Sequence, residues 1–293
     1  MDVIGYLGLG VMGTGMSGNL IDKYNGKVYG YDPVAEVLDR FEQRGGTRAT
    51  SAEDLYKNCN VIMMCLPTNQ IVKETIKHIL EISRPGTIIV DMGATAPHII
   101  RELHEMASEK GLFLLDAPVS GGTAGAEAGT LAIMCGGEKT VFDRVLPYLK
   151  MMGKTVTYVG PSGCGDVAKL ANNIIVNVGL MTAGEAFAFA KKAGVDSRVL
   201  FEAMRGGVAE TAILNLRAPI IFSREFLPAT ARATIAMKDA VNAVDMAKSM
   251  GVEIPLTEML LDRYRWMVEQ GIGNEDHSAI VKYYEDSMGV VIE

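Results

Sequence analysis

A lysine and two asparagines recur at every fourth position in one apolar stretch of the chain. Lys169, Asn173 and Asn177 would lie along one stripe of a helix predicted over 166–192, which is apolar nearly all round and therefore expected to be buried on most faces. A cation in a first helical turn meets the helix dipole unfavourably, so a compensating group is expected near Lys169. A lysine buried beside a cofactor can exchange a proton with a substrate hydroxyl. The helix alone supports equally a lysine that reaches solvent and asparagines that bond nearby loops.

A glycine-rich turn follows the first predicted strand. Gly8, Gly10 and Gly13 form a G-x-G-x-x-G pattern, which is weak alone because the chain has 32 glycines in 293 residues. Here it directly follows a strand and opens a helix, where free backbone N–H groups favour a pyrophosphate. The pattern therefore predicts a dinucleotide site, and the alternative is that these glycines serve only as turns. The predicted cofactor contacts in this turn are Gly8, Leu9, Gly10, Val11, Met12 and Gly13.

Asp32 ends the next predicted strand, 19 residues after Gly13. An acid at about this separation contacts the adenosine ribose hydroxyls of a dinucleotide. Its charge would repel the additional phosphate of NADP, and Pro33 rather than an arginine follows it. The sequence therefore predicts NAD as the cofactor, with NADP disfavoured. The alternative is that Asp32 only caps the helix that follows.

Two later strands end in segments that are predicted to complete the cofactor pocket. Leu66 and Pro67 follow one strand, and Thr95 lies in the segment that ends the next. Ligands bind outside the carboxyl ends of the strands in sheets of this kind. Plain loops at both places are the alternative.

Small residues dominate a segment that follows a further strand. The run Asp116-Ala-Pro-Val-Ser-Gly-Gly continues with more glycine and alanine, and the backbone N–H groups of such a loop can face an anion. Ser120 adds a hydroxyl donor, so Ser120, Gly121 and Gly122 are predicted to hold a substrate carboxylate. A turn-rich connection without a ligand is the alternative.

Strand and helix patterns alternate through the first half of the chain. Strands are predicted at 3–7, 27–31, 61–65, 87–90, 113–115, 131–134 and 155–159, with helices at 11–23, 34–44, 70–82, 97–110 and 140–149. This alternation predicts an α/β fold with a Rossmann-like, doubly wound parallel sheet. Helical periodicity then continues to the end, with helices predicted at 166–192, 197–204, 231–250, 255–270 and 276–287. We therefore predict an NAD-binding domain over 1–163 and an all-helical domain for substrate and oligomerisation over 164–293.

The overall composition is that of a compact globular protein, with 48% hydrophobic and 22% charged residues. No run approaches the roughly 18 uninterrupted apolar residues of a membrane span, and no leader pattern precedes the first strand. A net charge of −7 without a Lys/Arg cluster argues against nucleic acid as a partner. The four cysteines show no C-x-x-C spacing, so a reducing cytoplasm without a metal site is expected. Four histidines lie in amphipathic stretches and are expected to be solvated: His78, His98, His104 and His277.

Taken together, the chain resembles the β-hydroxyacid dehydrogenases, which include 3-hydroxyisobutyrate dehydrogenase and tartronate semialdehyde reductase. The resemblance runs the full length and rests on four motifs: Gly8-Leu-Gly-Val-Met-Gly13, Asp116-Ala-Pro-Val-Ser-Gly-Gly122, Gly160-x-x-Gly163-x-Gly165-x-x-x-Lys169-x-x-x-Asn173, and Lys238-Asp239. The second and third motifs, in that order and at that separation, are highly specific.

The resemblance implies an NAD-dependent oxidoreductase that interconverts a small 3-hydroxy acid and its semialdehyde. It makes Lys169 the acid–base residue and Asn173 the residue that orients the substrate. It assigns the substrate carboxylate to Ser120 and its two following glycines, and it brings Lys238 to the cofactor. A small carboxylate substrate and a homodimer or homotetramer are the expected partners.

Some positions depart from the family pattern. Gly93 and Ala94 stand where the family often has a serine and a threonine, so Thr95 is expected to supply the hydroxyl contact to the nicotinamide end. Small residues also replace aromatics near the expected substrate, at Ala231 and at Thr211-Ala212. A longer or second acidic group on the substrate is therefore conceivable, with Arg217 or Arg232 as its partner.

Other functions stay open on the sequence. Within the class, the alternatives are a semialdehyde reductase, acting on tartronate or succinic semialdehyde, and a 2-(hydroxymethyl)glutarate dehydrogenase. From a different class, the chain could be an NAD-binding scaffold without catalysis. Such a scaffold should lack the lysine at position 169, as an imine reductase usually does, and this chain retains it.

Overall fold

The structure, a computed structural model, describes residues 1–293 and divides them into two compact units, Met1–Lys169 and Leu170–Glu293. The first unit is an α/β layer and the second is helical, which confirms the predicted fold class. The division falls after the sixth residue of the long helix Cys164–Lys192, so this helix belongs to both units.

The first unit is built on one nine-stranded sheet. Its strands are β1 Ile4–Leu7, β2 Val28–Tyr31, β3 Thr47–Arg48, β4 Val61–Met64, β5 Ile88–Asp91, β6 Phe113–Asp116, β7 Val119–Ser120, β8 Leu131–Gly136 and β9 Gly153–Gly160. The order is β3-β2-β1-β4-β5-β6-β8-β7, with β9 paired to β8. The six strands from β3 to β6 are parallel.

The sheet is parallel, as predicted, except near one edge, where β8 runs antiparallel to both β6 and β7. Parallel neighbours need a crossover of about a dozen residues or more. Only the short segment between Ser120 and Leu131 joins β7 to β8, so these two strands pair antiparallel.

Seven helices flank the sheet before the long helix begins. They are α1 Val11–Lys23, α2 Ala35–Gln43, α3 Ala52–Asn58, α4 Asn69–Ile82, α5 Pro97–Glu109, α6 Gly122–Ala128 and α7 Lys139–Met152. Strands β1, β4 and β5 are buried at every residue, because helices cover both faces of the sheet. Two separate apolar clusters result, one containing Tyr6 and Met63 and the other Ile62 and Ile76.

The second unit is formed by the rest of α8 Cys164–Lys192 and five further helices. These are α9 Ser197–Met204, α10 Ala212–Ser223, α11 Ala233–Ser249, α12 Pro255–Glu269 and α13 Val281–Met288, the last preceded by a 3-10 turn over His277–Ile280. Their apolar faces meet in one core that includes Phe187, Ile221, Leu260 and Tyr264.

The expectation that α8 is buried on most faces is wrong. Ile175 is 75% exposed and Phe189 is 68% exposed, and the exposed residues between them recur at helical spacing along one side. This helix is also long and apolar enough to satisfy a length-and-composition criterion for a membrane span, which core helices of other proteins satisfy too.

His277 is buried in the second unit, so the expectation that it is solvated is wrong. It is 5% exposed, and its Nδ1 lies 2.9 Å from the side-chain oxygen of Asn177, which also accepts from the Tyr264 hydroxyl at 2.9 Å. His78 and His98 are exposed as expected, and His104 is half-buried against the carbonyl of Leu114. Burial, with a smaller effect from Arg217, lowers the pKa of His277 from 6.5 to about 4.

This histidine should make the unfolding free energy depend on pH in a defined window. Because the pKa is lower in the folded chain, the unfolded chain binds the extra proton, and stability is lost as pH falls from 6.5 toward 4. We expect urea denaturation to show a loss of about 2 kcal/mol between pH 7 and pH 5 from this group. The His277→Asn variant keeps a donor toward Asn177 but cannot titrate, so its unfolding free energy should fall by about 2 kcal/mol less over the same pH range. His98→Asn is the matched surface control, and an unchanged pH slope in His277→Asn would contradict the assignment.

Candidate active site

The turn between β1 and α1 uses its three glycines in different ways. Gly8 has a φ of +82°, and a Cβ there would lie 2.4 Å from the carbonyl oxygen of Cys65. A Cβ on Gly13 would lie 1.8 Å from the carbonyl oxygen of Gly8. A Cβ on Gly10, in contrast, would meet no protein atom within 4 Å. Packing within the chain thus requires Gly8 and Gly13, whereas the open space beside Gly10 fits a phosphate group that approaches the backbone.

Asp32 holds this turn in place. One carboxylate oxygen accepts from the backbone N–H of Leu9 at 2.8 Å, and the other accepts from that of Val34 at 2.9 Å. Val34 is the N-cap residue of α2, so Asp32 bonds the residue at which the next helix begins, but no side chain caps that helix, contrary to the alternative interpretation. A carboxylate has about four lone-pair sites, which leaves acceptor capacity for ribose hydroxyls.

The ends of β4 and β5 lie beside the glycine turn. Leu66 packs against Gly8, where an added Cβ would lie 3.0 Å from its Cδ2, and it also lies beside Gly93. Pro67 is exposed, and Thr68 caps α4 by accepting from the N–H of Ile71. The structure therefore brings Leu66 next to the predicted pyrophosphate turn and leaves Pro67 at the surface.

Thr95 lies inside the fold, only 2% exposed. Its hydroxyl donates to Asp91 at 2.6 Å, and its backbone N–H donates to Asp166 at 3.1 Å. Asp91 also accepts from the N–H of Gly93 at 3.0 Å. Through these bonds Thr95 links the end of β5 to the start of α8. The sequence did not suggest this structural role.

The Ser120–Gly122 segment is a strand end followed by a short helix rather than a loop. Ser120 pairs with Ala132 in β7 and β8, Gly121 has a φ of +137° and Gly122 a φ of +64°. Helix α6 then packs on α1, where a Cβ on Gly15 would lie 2.8 Å from the backbone of Ala126. The buried Asn19 side chain donates from α1 to the carbonyl of Ala126 at 2.8 Å. The predicted carboxylate site is thereby fixed beside the predicted dinucleotide site.

Asp116 is a residue whose role sequence reasoning missed. It ends β6, is fully buried, and accepts from the N–H groups of Gly163 at 2.9 Å and Asp166 at 3.0 Å. Burial raises the pKa of the Asp116 carboxyl, and these backbone hydrogen bonds oppose that shift. Its bonds reach the first turn of α8, and Lys169, which is half-buried, lies one turn further along that helix.

Within the helical unit, the side chain of Asn173 donates to Asp239 at 2.8 Å. Lys238 forms an ion pair with the same carboxylate at 3.4 Å. Asn177 donates to the backbone carbonyl of Asn173 at 2.9 Å and is 5% exposed. Asn173, Lys238 and the missed residue Asp239 are thus brought together, while Asn177 belongs to the core.

Arg217 is buried and already paired, so it does not fit the expected role of binding a second acidic group on the substrate. It is 8% exposed and is held by Asp276 at 3.4 Å and by the hydroxyl of Thr230 at 2.5 Å. Removing either partner of such a buried pair would leave an uncompensated buried charge and would destabilise the helical unit. Arg232 precedes α11 and is exposed.

Two family profiles match the chain almost end to end. Residues 3–160 match the family described as the NAD binding domain of 6-phosphogluconate dehydrogenase, and residues 163–284 match the NAD-binding family of NADP-dependent 3-hydroxyisobutyrate dehydrogenase.

Individual proteins are similar over the same length. The chain is 33% identical to an NAD-dependent L-serine dehydrogenase of Pseudomonas aeruginosa, over 99% of this chain and 100% of that one. It is 33% identical to a 2-hydroxy-3-oxopropionate reductase of Escherichia coli, over 96% and 97% of the two chains. Its fold matches a structure of Mycobacterium tuberculosis 3-hydroxyisobutyrate dehydrogenase with L-serine, with a TM-score of 0.88, 30% identity and coverage of 97% and 99%.

The relatives are dehydrogenases and reductases, and the four motifs that suggested the family lie within the matched regions. The glycine turn and Asp32 in the first unit fit a nicotinamide dinucleotide. The chain is therefore a nicotinamide-dependent hydroxyacid oxidoreductase and belongs to the β-hydroxyacid dehydrogenase family.

Proposed function

We propose that this enzyme interconverts a small 3-hydroxy acid and its semialdehyde with NAD, using Lys169 as the acid–base residue. The observation that supports this most strongly is the tie between two predicted parts of the site. Asp116 leads directly to Ser120 along the chain, and its carboxylate binds the first turn of the helix that carries Lys169. The proposed carboxylate site and the proposed acid–base lysine are thus connected through Asp116 at the end of β6.

The cofactor is assigned to the turn from Gly8 to Gly13 and to Asp32. The open space beside Gly10 accommodates a pyrophosphate, and Asp32 accepts from ribose hydroxyls. When bound, the nicotinamide exchanges a hydride with the substrate carbon. Leu66, Pro67, Thr95 and Lys238 stay predicted contacts to the cofactor.

The protein's own part in the reaction is to hold the substrate and move a proton. The Ser120 hydroxyl and the N–H groups of Gly121 and Gly122 bind the carboxylate. In oxidation, neutral Lys169 accepts the proton of the 3-hydroxyl, and in reduction its ammonium donates that proton to the oxygen of the semialdehyde. Asn173 orients the hydroxyl, because Asp239 fixes the direction of its amide.

A preference for NAD should depend on Asp32. We expect Asp32→Ala to lower kcat/KM for NAD by roughly 10- to 100-fold, since a charged acceptor contributes about 1.5–3 kcal/mol to a hydrogen bond. The loss with NADP should be smaller, so the ratio of the two kcat/KM values falls. Asp39→Ala on α2, which removes an exposed acid paired with Arg48, is the matched control. An NAD to NADP ratio that stays at the wild-type value would contradict the role of Asp32.

The names of two relatives support the proposed substrate class. L-serine and 3-hydroxyisobutyrate, named with two of the relatives, are both acids with a hydroxyl on the third carbon. The relative that reduces 2-hydroxy-3-oxopropionate indicates that reduction of a semialdehyde is the same chemistry in the other direction.

Initial rates of cofactor reduction test this proposal. The substrates are 3-hydroxyisobutyrate, L-serine, glycerate, 4-hydroxybutyrate and 2-(hydroxymethyl)glutarate, with 2-hydroxy acids as the comparison set. We expect turnover of at least one acid that carries a hydroxyl on its third carbon, and of none of the acids whose only hydroxyl is on the second carbon. Cofactor binding without turnover of any acid would instead support a non-catalytic scaffold.

A cytoplasmic homo-oligomer, dimer or tetramer, completes the proposal. Its four cysteines are all free, which fits a reducing compartment. The exposed apolar side of α8, with Ile175 and Phe189, supports self-association. Light scattering of the purified chain tests the oligomer, and a strictly monomeric enzyme would contradict it.

A further inference from the structure

We propose that Asp116 is a positioning residue whose buried carboxylate sets the place of Lys169 relative to the Ser120–Gly122 segment. The inference rests on the proposed function, in which Lys169 transfers the proton and Ser120–Gly122 binds the substrate carboxylate. Asp116 touches neither substrate nor cofactor in this account, and it acts through the first turn of α8.

The carboxylate joins two segments that are far apart in the sequence. Its Oδ1 accepts from the N–H of Gly163 at 2.9 Å and its Oδ2 accepts from the N–H of Asp166 at 3.0 Å. Asp166 precedes Lys169 by three residues, and Asp116 precedes Ser120 by four. One side chain therefore determines how the start of α8 lies against the strand end that leads to the predicted carboxylate site.

Close backbone packing leaves little freedom where the start of α8 meets β6 and β8. A Cβ on Gly165 would lie 2.5 Å from the carbonyl oxygen of Met134 and 2.7 Å from that of Asp116. A Cβ on Gly136 would lie 2.7 Å from the backbone nitrogen of Gly165 and equally close to the Asp116 carboxylate. The start of α8 is thus pressed against β6 and β8, and β8 also pairs with Ser120. The predicted carboxylate site at Ser120 and the helix start that leads to Lys169 are therefore positioned by the same packed backbone.

A second acid, Asp166, bonds the start of α8 to the segment that follows β5. The Oδ1 of Asp166 accepts from the N–H of Thr95 at 3.1 Å, and Thr95 is tied through its hydroxyl to Asp91. Two carboxylates, Asp116 and Asp166, therefore lie at the N-terminal end of α8, where negative charge is favourable. Because α8 begins at Cys164, Lys169 lies in its second turn, so the expectation that this lysine lies in the first turn is wrong.

Proton transfer depends strongly on such positioning. The 3-hydroxyl must lie about 2.6–3.2 Å from its acid–base partner while the carboxylate stays bound, and a misplacement of about 1 Å costs on the order of 100-fold in rate. In Asp116→Asn the amide N–H₂ would face one of the two backbone donors, so one of the two hydrogen bonds is lost. The first turn of α8 then shifts while the glycine turn of the cofactor site stays unchanged.

A double-mutant cycle on the full-length enzyme tests the inference. Asp116→Asn, Lys169→Ala and the double variant are compared by kcat, by KM for the hydroxy acid that the wild type turns over, and by NADH affinity from fluorescence. We expect Asp116→Asn to lower kcat by about 10- to 100-fold, with NADH affinity within about twofold of wild type. Because Asp116 acts through Lys169, the double variant should be no slower than Lys169→Ala alone.

The control is Glu285→Gln, which alters a buried carboxylate in the helical unit and should leave kcat near the wild-type value. A wild-type kcat in Asp116→Asn, or a loss that adds fully to that of Lys169→Ala, would overturn the inference. If Asp116→Asn does not fold, Asp166→Ala, which removes the hydrogen bond to Thr95, is compared with Lys169→Ala in the same way, with an expected loss of roughly 3- to 10-fold in kcat. A fully active Lys169→Ala would instead refute the acid–base assignment in the proposed function, so the two failures are distinguishable.

Discussion

Lys169→Ala is expected to lower kcat by about 1,000-fold, the usual range of a lost general acid–base residue. The chemistry needs a group that accepts the hydroxyl proton as the hydride leaves, and the start of α8 holds Lys169 one turn from the Asp116 anchor. Affinity for NADH should not change, because the glycine turn and Asp32 lie on other elements. Stopped-flow reduction and NADH fluorescence separate the two quantities.

The matched control is Lys192→Ala at the other end of the same helix. It removes the same side chain from α8 at a place far along the helix from Lys169, and its kcat should equal that of the wild type. Wild-type turnover in Lys169→Ala would show that another residue moves the proton.

Gly10→Ala is expected to weaken cofactor binding by roughly 10- to 100-fold without lowering the melting temperature. The added methyl group meets no protein atom within 4 Å, so the folded chain accepts it. A bound pyrophosphate at this place would collide with it, and overpacking of this kind costs about 1–3 kcal/mol. Isothermal titration with NADH and a thermal melt of the free enzyme measure the two effects.

Gly13→Ala provides the contrast. Its methyl group would lie 1.8 Å from the Gly8 carbonyl oxygen, so it should lower both cofactor affinity and melting temperature. If Gly10→Ala bound NADH as tightly as the wild type, the pyrophosphate would not lie against this part of the turn.

Much of the first unit was predictable from local patterns. The apolar runs at β1, β4 and β5 are buried on both faces, and such runs predict parallel strands between helices. The short elements were not predicted. Helix α6 was not predicted because it begins at Gly122, and glycines in a row favour turns over helices. Helix α3 was not predicted because it is only seven residues long. A weak local preference was overridden there by tertiary packing, such as that of α6 on Gly15 of α1.

The site was predictable in its motifs but not in its supports. Gly8, Gly13 and Asp32 show their roles by spacing, because their partners lie within one strand–helix unit. The partners of Asp116 lie 47 and 50 residues away, and no local pattern shows such a contact. His277 illustrates the same limit, since its amphipathic surroundings gave no sign that Asn177, 100 residues away, would bind it in the core.

The most direct test of the central claim is the fate of deuterium from a 3-hydroxy acid. L-serine or 3-hydroxyisobutyrate, whichever is turned over, is labelled with deuterium on the third carbon and incubated with the enzyme and NAD. We expect reduced cofactor that is one deuterium heavier by mass spectrometry, and a semialdehyde that keeps the second deuterium. Unlabelled reduced cofactor would contradict hydride transfer from the carbon that bears the hydroxyl.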